Sequence, residues 1–201
     1  PDLNAHSEIA RETATEGMVL LKNNGVLPLQ ADCPLALFGN FSYDTQAGGS
    51  GSGYVYRKYK INISEGMENA GYYVYEDLSI RYQEHIAAAK AQLPAENFWA
   101  IPIAPEMEID ENDILQASAH SDIAIVTLGR MSGEGNDRHS GKGDYRLSDL
   151  EIALVEDVCR VFHGQDKKVV IILNMGDAIE LTGWDHLPDA ILMAWLPGQE
   201  A

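Results

Sequence analysis

Five short apolar runs stand out along the chain, and none of them alternates with polar positions. They are Leu35-Ala36-Leu37-Phe38, ended by Gly39; Tyr72-Tyr73-Val74-Tyr75, after Gly71; Ile123 to Leu128, ended by Gly129; Val169 to Leu173, ended by Asn174; and Ala190 to Trp195, ended near Pro197-Gly198. An unbroken apolar run of this length predicts a strand buried on both faces, as in a parallel sheet. Between the runs the period changes to that of a helix. From Ser7 to about Leu21, residues Ile9, Ala10, Thr13, Ala14, Gly17, Met18 and Leu21 share one face. Ser64 to Asn69 predicts a short helix closed by Gly71. Asp77 to about Leu93 carries Leu78, Ile80, Tyr82, Ile86 and Ala89, with Pro94 as its stop. Asp110 to Ser118 is led by acidic residues, which suit a helix N-terminus. Ser148 to Phe162 opens with Ser148 as N-cap and Glu151 at capping-box spacing, and Gly164 ends it. A helix followed by alternating strands and helices predicts the α/β class, a mainly parallel sheet sandwiched by helices. With no internal repeat and no linker, residues 1–201 read as a single domain.

Two stretches break the alternation. Phe41 to Tyr59 is rich in Gly, Ser and Tyr, and Arg130 to Arg146 is rich in Gly and charge. Each follows the C-terminal end of an expected strand, where open α/β sheets place their ligand crevices. Long loops in compact domains are more often functional than idle. In the second stretch Glu134 stands between Gly133 and Gly135. Glycines on both sides remove bulk and permit unusual backbone angles, so the carboxyl can project from a loop tip into a cleft. A general acid needs such reach together with poor solvation on one side. A solvated acidic turn has the same local sequence. Asp137 and Arg138 are placed to form an ion pair bracing this loop. In the first stretch the run Gly48-Gly49-Ser50-Gly51-Ser52-Gly53 lacks the Lys-Ser/Thr ending of a phosphate-binding loop, and it does not open a helix directly after a strand. Ser52 also stands where a nucleophile elbow centred on Ser50 requires glycine. What remains is a pliant loop whose hydroxyls, with Tyr54, Tyr56 and Tyr59 behind them, suit a polar ligand such as a sugar, or a mobile linker.

Charge narrows the partners. The 31 Asp and Glu against 14 Lys and Arg give a formal charge of −17, which argues against nucleic acid and anionic membranes. The apolar fraction of 45% is that of a folded domain. Cys33 and Cys159 form no metal-spacing motif and read as two free buried thiols, with a single bridge between them as the alternative. The six histidines include no His-x-x-x-His pair, and the acidic cluster from Glu106 to Asp113 lacks the glycine of a calcium loop, so no metal is expected. No apolar run reaches the ~20 residues of a membrane span, and Pro1-Asp2-Leu3-Asn4 lacks the pattern of a signal peptide. A cytoplasmic bacterial protein is the expectation, with secretion of a full-length enzyme left open.

Several segments, taken in order, belong together. Glu16-Gly17-Met18-Val19-Leu20-Leu21-Lys22-Asn23 precedes Leu27-Pro28-Leu29. The strand from Leu35 and the run from Gly48 to Gly53 come next, then Ser132-Gly133-Glu134-Gly135-Asn136-Asp137-Arg138. Val169 to Asn174, Ile179-Glu180-Leu181, Trp184 and Ala194-Trp195-Leu196-Pro197-Gly198-Gln199-Glu200 close the set. This ordered set resembles the family 3 glycoside hydrolases, specifically their second, α/β-sandwich domain.

The resemblance implies a retaining β-glycosidase acting on a β-linked glucoside or xyloside, with no cofactor. In that family a (β/α)8 barrel carries an aspartate nucleophile, and a six-stranded sandwich carries the acid/base carboxylate on a loop. Glu134 matches the acid/base position. Ser52, with Ser50 near it, matches the glycine-rich loop that approaches the sugar, while Gly133, Gly135, Asp137 and Arg138 support the catalytic loop. No segment matches the barrel, so the implied partner is a barrel domain of the same enzyme, and the chain alone is expected to be inactive. The sandwich is expected to lack its last strand. The presence of Glu134 separates the chain from the β-N-acetylglucosaminidase branch, which uses a His-Asp pair of the barrel. The alternative is a non-catalytic α/β sugar-binding or interaction module. A receiver-like version is weakened because Gly39 and Gly129 occupy the strand ends where acidic residues would be needed. A homo-oligomer is compatible with either.

Overall fold

The computed structural model describes residues 2–135 and 137–200, so Asn136 of the motif above lies outside the described residues. The chain runs α1 (Leu3–Gly17), β1 (Val19–Asn23), β2 (Leu35–Phe38), α2 (Ile63–Asn69), α3 (Glu76–Lys90), α4 (Glu111–His120), β3 (Ile123–Arg130), α5 (Asp149–His163), β4 (Lys168–Met175) and β5 (Ala190–Met193). The strands form one sheet in the order β1-β5-β4-β3-β2. β2 to β5 are mutually parallel and β1 joins antiparallel at one edge. This is an α/β sandwich with a mainly parallel sheet, as the unbroken apolar runs require. All eight residues of β3 are buried, and so are all four of β2. Helix α5 lies against β3 and β4, and α3 and α4 lie against β2. Phe162 of α5 meets Phe38 of β2 edge-on at 6.1 Å, both fully buried. The α5 capping box forms as read: Ser148 Oγ accepts from the Glu151 N–H, and the Ser148 N–H donates to Glu151 Oε2 at 2.7 Å.

Two elements differ from the sequence expectation. The first helix ends at Gly17 rather than near Leu21. Met18 is extended (φ −67°, ψ 148°), and Val19 to Asn23 pair with β5 instead. Here the β-branched and apolar run Val19-Leu20-Leu21 gains a ladder of main-chain bonds, which outweighs one more helical turn. Conversely, Tyr72 to Tyr75 is not a strand. Only Val74 bridges Leu35, with the Leu35 N–H donating to Tyr73 O and the Tyr75 N–H to Leu35 O. Gly71 at φ +92° brings the chain in, and Tyr75 already caps α3, leaving room for a single bridge.

Because β2 to β5 are parallel, their C-terminal ends share one edge of the sheet. The two irregular loops, 39–62 and 131–148, therefore rise from neighbouring strands on the same side. On the other flank, a groove of about 650 Å³ opens between Ile172, Asn174 and Leu192 of the sheet and Ala14, Met18, Ile63 and Met67.

Candidate functional site

The loop after β2 is pinned before it reaches the glycine run. Gly39 turns the chain at φ +86°, where an added Cβ would collide with the Thr127 carbonyl. Ser42 Oγ meets Thr127 Oγ1 at 2.7 Å. The fully buried Asn174, at the end of β4, accepts from the Gln46 N–H at 2.7 Å and donates to Gln46 O at 2.9 Å and Trp195 O at 2.8 Å. One amide thus ties this loop to two strand ends. A polar residue closing a fully apolar strand was the available signal for it in the sequence.

The two loops then meet. Ser50 and Gly133 form an isolated parallel bridge, with the Ser50 N–H donating to Ser132 O at 3.3 Å. Ser50 is fully buried, and its hydroxyl donates to the Glu134 main-chain carbonyl at 3.1 Å. It therefore joins the loops from beneath. Gly133 (φ +146°) lies so close that a Cβ would sit 2.5 Å from the Ser50 nitrogen. Ser52 and Glu134 are both exposed. Ser52 donates to the Glu134 carboxylate twice, from its N–H to Oε2 at 3.0 Å and from Oγ to Oε1 at 2.9 Å. Gly51 between them has φ +63°, and a Cβ there would overlap the Glu134 Cβ and carboxylate. Close approach of the second loop thus explains Gly51, and likewise Gly49, where a Cβ would meet the Ser132 carbonyl.

The Glu134 carboxylate turns onto Ser52. The cleft beside the loop, about 440 Å³, is lined by Arg130, Asp137, Arg138, His139, Asp144 and Glu151 among others, and Glu134 is not among its lining residues. Asp137 is exposed at its rim. Arg138 pairs with Asp144 rather than with Asp137, and also donates to Ala178 O at 3.3 Å. Neighbouring side chains on an irregular loop diverge, whereas the turn that brings the Arg146 N–H to Gly141 O returns Asp144 beneath Arg138. Burial pushes the Asp144 carboxyl up, but the His139 N–H and the Arg138 guanidinium outweigh it and hold it below the usual range. Gly135 takes φ +77°, a second turn of the loop that a glycine permits.

The base of this loop rests on a pairing of Arg130 with Glu151 that spacing did not predict. Arg130, the last residue of β3, donates to Glu151 Oε1 at 2.5 Å and Oε2 at 2.8 Å, to Gly129 O at 2.6 Å and to Asp144 O at 2.9 Å. Both members of the pair are buried. Glu151 is also the capping-box residue, so one carboxylate fastens residues 130 and 148, the two ends of the loop. Glu106 borders the same cleft. Burial pushes its carboxyl up to about 7, although the Asn40 and Met107 N–H groups donate to it and oppose that shift. Among the described residues no group of three or more His, Cys, Asp or Glu is placed to hold a metal, and no helix is long and apolar enough to cross a membrane.

Comparison with known proteins gives these loops a context. The family model described as the glycosyl hydrolase family 3 C-terminal domain matches residues 18–201. A β-glucosidase of Ruminococcus albus is 34% identical over 200 residues, covering 98% of this chain and 21% of that protein. β-Glucosidase A of Butyrivibrio fibrisolvens is 34% identical over 223 residues, covering 97% and 26%. Among solved structures, β-glucosidase 3B of Thermotoga neapolitana in complex with glucose is 39% identical with a TM-score of 0.93, covering 100% of this chain and 28% of that one. A β-glucosidase of Paenibacillus barengoltzii is 30% identical with a TM-score of 0.86, covering 96% and 21%. The chain thus spans about a fifth to a quarter of the length of the curated relatives it matches.

Proposed function

The chain belongs to the glycosyl hydrolase family 3 C-terminal domain family, and from that premise we propose that it is the second domain of a retaining β-glycosidase, supplying Glu134 as general acid and base. The observation that carries this is the placement of Glu134: a carboxylate on a glycine-flanked loop at the C-terminal edge of a parallel sheet, against a second loop with small polar side chains. The relatives named above are β-glucosidases, so the substrate class is a β-glucoside or the closely related β-xyloside.

A retaining glycosidase sets two carboxyls about 5–5.5 Å apart across the scissile bond. The nucleophile, an aspartate on a partner barrel of the same enzyme, attacks the anomeric carbon. The bond from that carbon to the glycosidic oxygen breaks as Glu134 gives its proton to the departing oxygen. Water then replaces the nucleophile: Glu134 takes a proton from it while its oxygen bonds to the anomeric carbon. Neither step needs a cofactor. The exposed carboxyl of Glu134 lies on the surface of this domain, where a sugar held by another domain can reach it.

The test is Glu134→Ala in the complete enzyme. Turnover of alkyl β-glucosides should fall by a factor of roughly 10² to 10⁴, the range of general acid–base catalysis. Activated aryl glucosides should lose far less in the first step, and azide should restore the second. The 201-residue chain by itself should hydrolyse neither substrate. Undiminished turnover of alkyl glucosides by the variant would refute the assignment. Calorimetric glucose binding by the isolated chain, indifferent to Glu134→Ala, would favour a sugar-binding module instead.

A further inference from the structure

The loop that carries Glu134 is fastened at its root by a buried ion pair. Arg130 is the last paired residue of β3, opposite Met175 of β4, so the sheet fixes its backbone. From there its guanidinium reaches Glu151, in the first turn of α5, with two bonds at 2.5 and 2.8 Å, and both side chains are buried. A buried ion pair gains little stability over apolar residues of the same volume, so stability alone gives no account of one at this place. What the pair supplies is position. Glu151 also accepts from the Ser148 N–H at 2.7 Å, so the strand end before the loop and the helix start after it share one carboxylate. Arg130 Nε donates to the Asp144 carbonyl at 2.9 Å. The Asp144 carboxylate in turn holds Arg138 and accepts from the His139 N–H at 2.6 Å. The chain on both sides of Glu134 is therefore tied to one guanidinium, directly at residue 130 and through Asp144 at residues 138 and 139.

From this geometry we propose that Arg130 and Glu151 are positioning residues for the acid/base step: they set where Glu134 stands without touching the sugar. This rests on Glu134 being the acid/base carboxylate. Misplacing a reacting group by about 1 Å can lower a rate about 10²-fold, so a slack root should register first in proton transfer.

The experiment measures kcat/KM of the complete enzyme on an alkyl β-glucoside, whose departure needs a proton, and on 2,4-dinitrophenyl β-glucoside, whose departure does not. The ratio of the two does not depend on how much of the enzyme is folded, so it separates position from stability. Arg130→Met should lower the alkyl-to-aryl ratio roughly 10- to 10²-fold. Arg130→Lys, which keeps the charge but not the fork, should fall between that variant and the native enzyme. Arg130→Met/Glu151→Gln removes the stranded charge and regains stability, yet its ratio should stay as low as that of Arg130→Met. In the Glu134→Ala background Arg130→Met should leave the ratio unchanged. A ratio that holds in Arg130→Met, that recovers with stability in the double variant, or that falls further without Glu134 would overturn the inference. If Glu134→Ala itself leaves the ratio unchanged, the acid/base reading has failed and this inference falls with it. If Glu134→Ala lowers the ratio and Arg130→Met does not, the positioning inference alone has failed.

Discussion

Removing Arg130 should loosen the loop that carries Glu134 at its root. Arg130 and Glu151 are both buried, and the guanidinium makes two bonds to the carboxylate and two more to the Gly129 and Asp144 carbonyls. In Arg130→Met the apolar stem is replaced, but Glu151 keeps its charge in a buried site with the Ser148 N–H as its main remaining donor. Breaking a buried pair from one side costs about 3–5 kcal/mol, because the charge left behind is desolvated and uncompensated. Domains of this kind have total stabilities of about 5–15 kcal/mol, so about a fifth or more would be lost. With an unfolding entropy of roughly 2.1 cal/mol/K for each residue, the melting point should drop by about 7–12 °C. Urea titration and calorimetry of the single variants and of Arg130→Met/Glu151→Gln check this. Neutralising the stranded carboxylate should recover about 2 kcal/mol, so that the double variant is more stable than Arg130→Met alone. A single-variant loss under about 1 kcal/mol, or losses that simply add, would refute the idea that this pair closes the loop as a buried unit.

Three further outcomes follow from other parts of the structure. Gly51→Ala should destabilise the domain by about 1–3 kcal/mol and depress turnover of alkyl glucosides by the complete enzyme, because it is strained at φ +63° and overlaps Glu134. Gly53→Ala, which meets nothing within 4 Å, should be nearly silent in both assays. Glu106 binds its proton more tightly in the folded chain than in the unfolded one, so stability should fall as pH rises from the ordinary carboxylate range through about 7, by up to about 3 kcal/mol. Glu106→Gln should remove that fall, and parallel slopes for both proteins in denaturant titrations at pH 5, 6, 7 and 8 would refute it. Native alkylation should modify the half-buried Cys33 before Cys159, whose thiol burial pushes up to about 12, and Cys159 should react only on unfolding; mass spectrometry of the adducts reads the order.

Chain pattern and tertiary context each left a distinct mark on this domain. The strands β2, β3, β4 and β5 were legible because a strand covered on both faces must be apolar throughout, and such runs have few other uses. Helix α5 was legible because its cap, its period and its closing glycine agree. Glu134 was legible as a candidate because glycines flank it, and the meeting of its loop with the glycine run followed from parallel strands sharing one edge. Three features depended on contacts that local pattern does not register. Val19 to Asn23 became a strand because β5 offered an unpaired edge, which local periodicity cannot register. Arg138 found Asp144 instead of Asp137, and Arg130 found Glu151 across 21 positions, because charged groups in a low-dielectric interior take the partner that the backbone brings within reach. The sequence by itself determined the class of fold, the edge at which the two long loops meet and the carboxylate proposed as the acid/base. Tertiary structure alone decided how that carboxylate is held, because hydrogen bonds and ion pairs depend on distances of a few ångströms, which spacing along a chain does not encode.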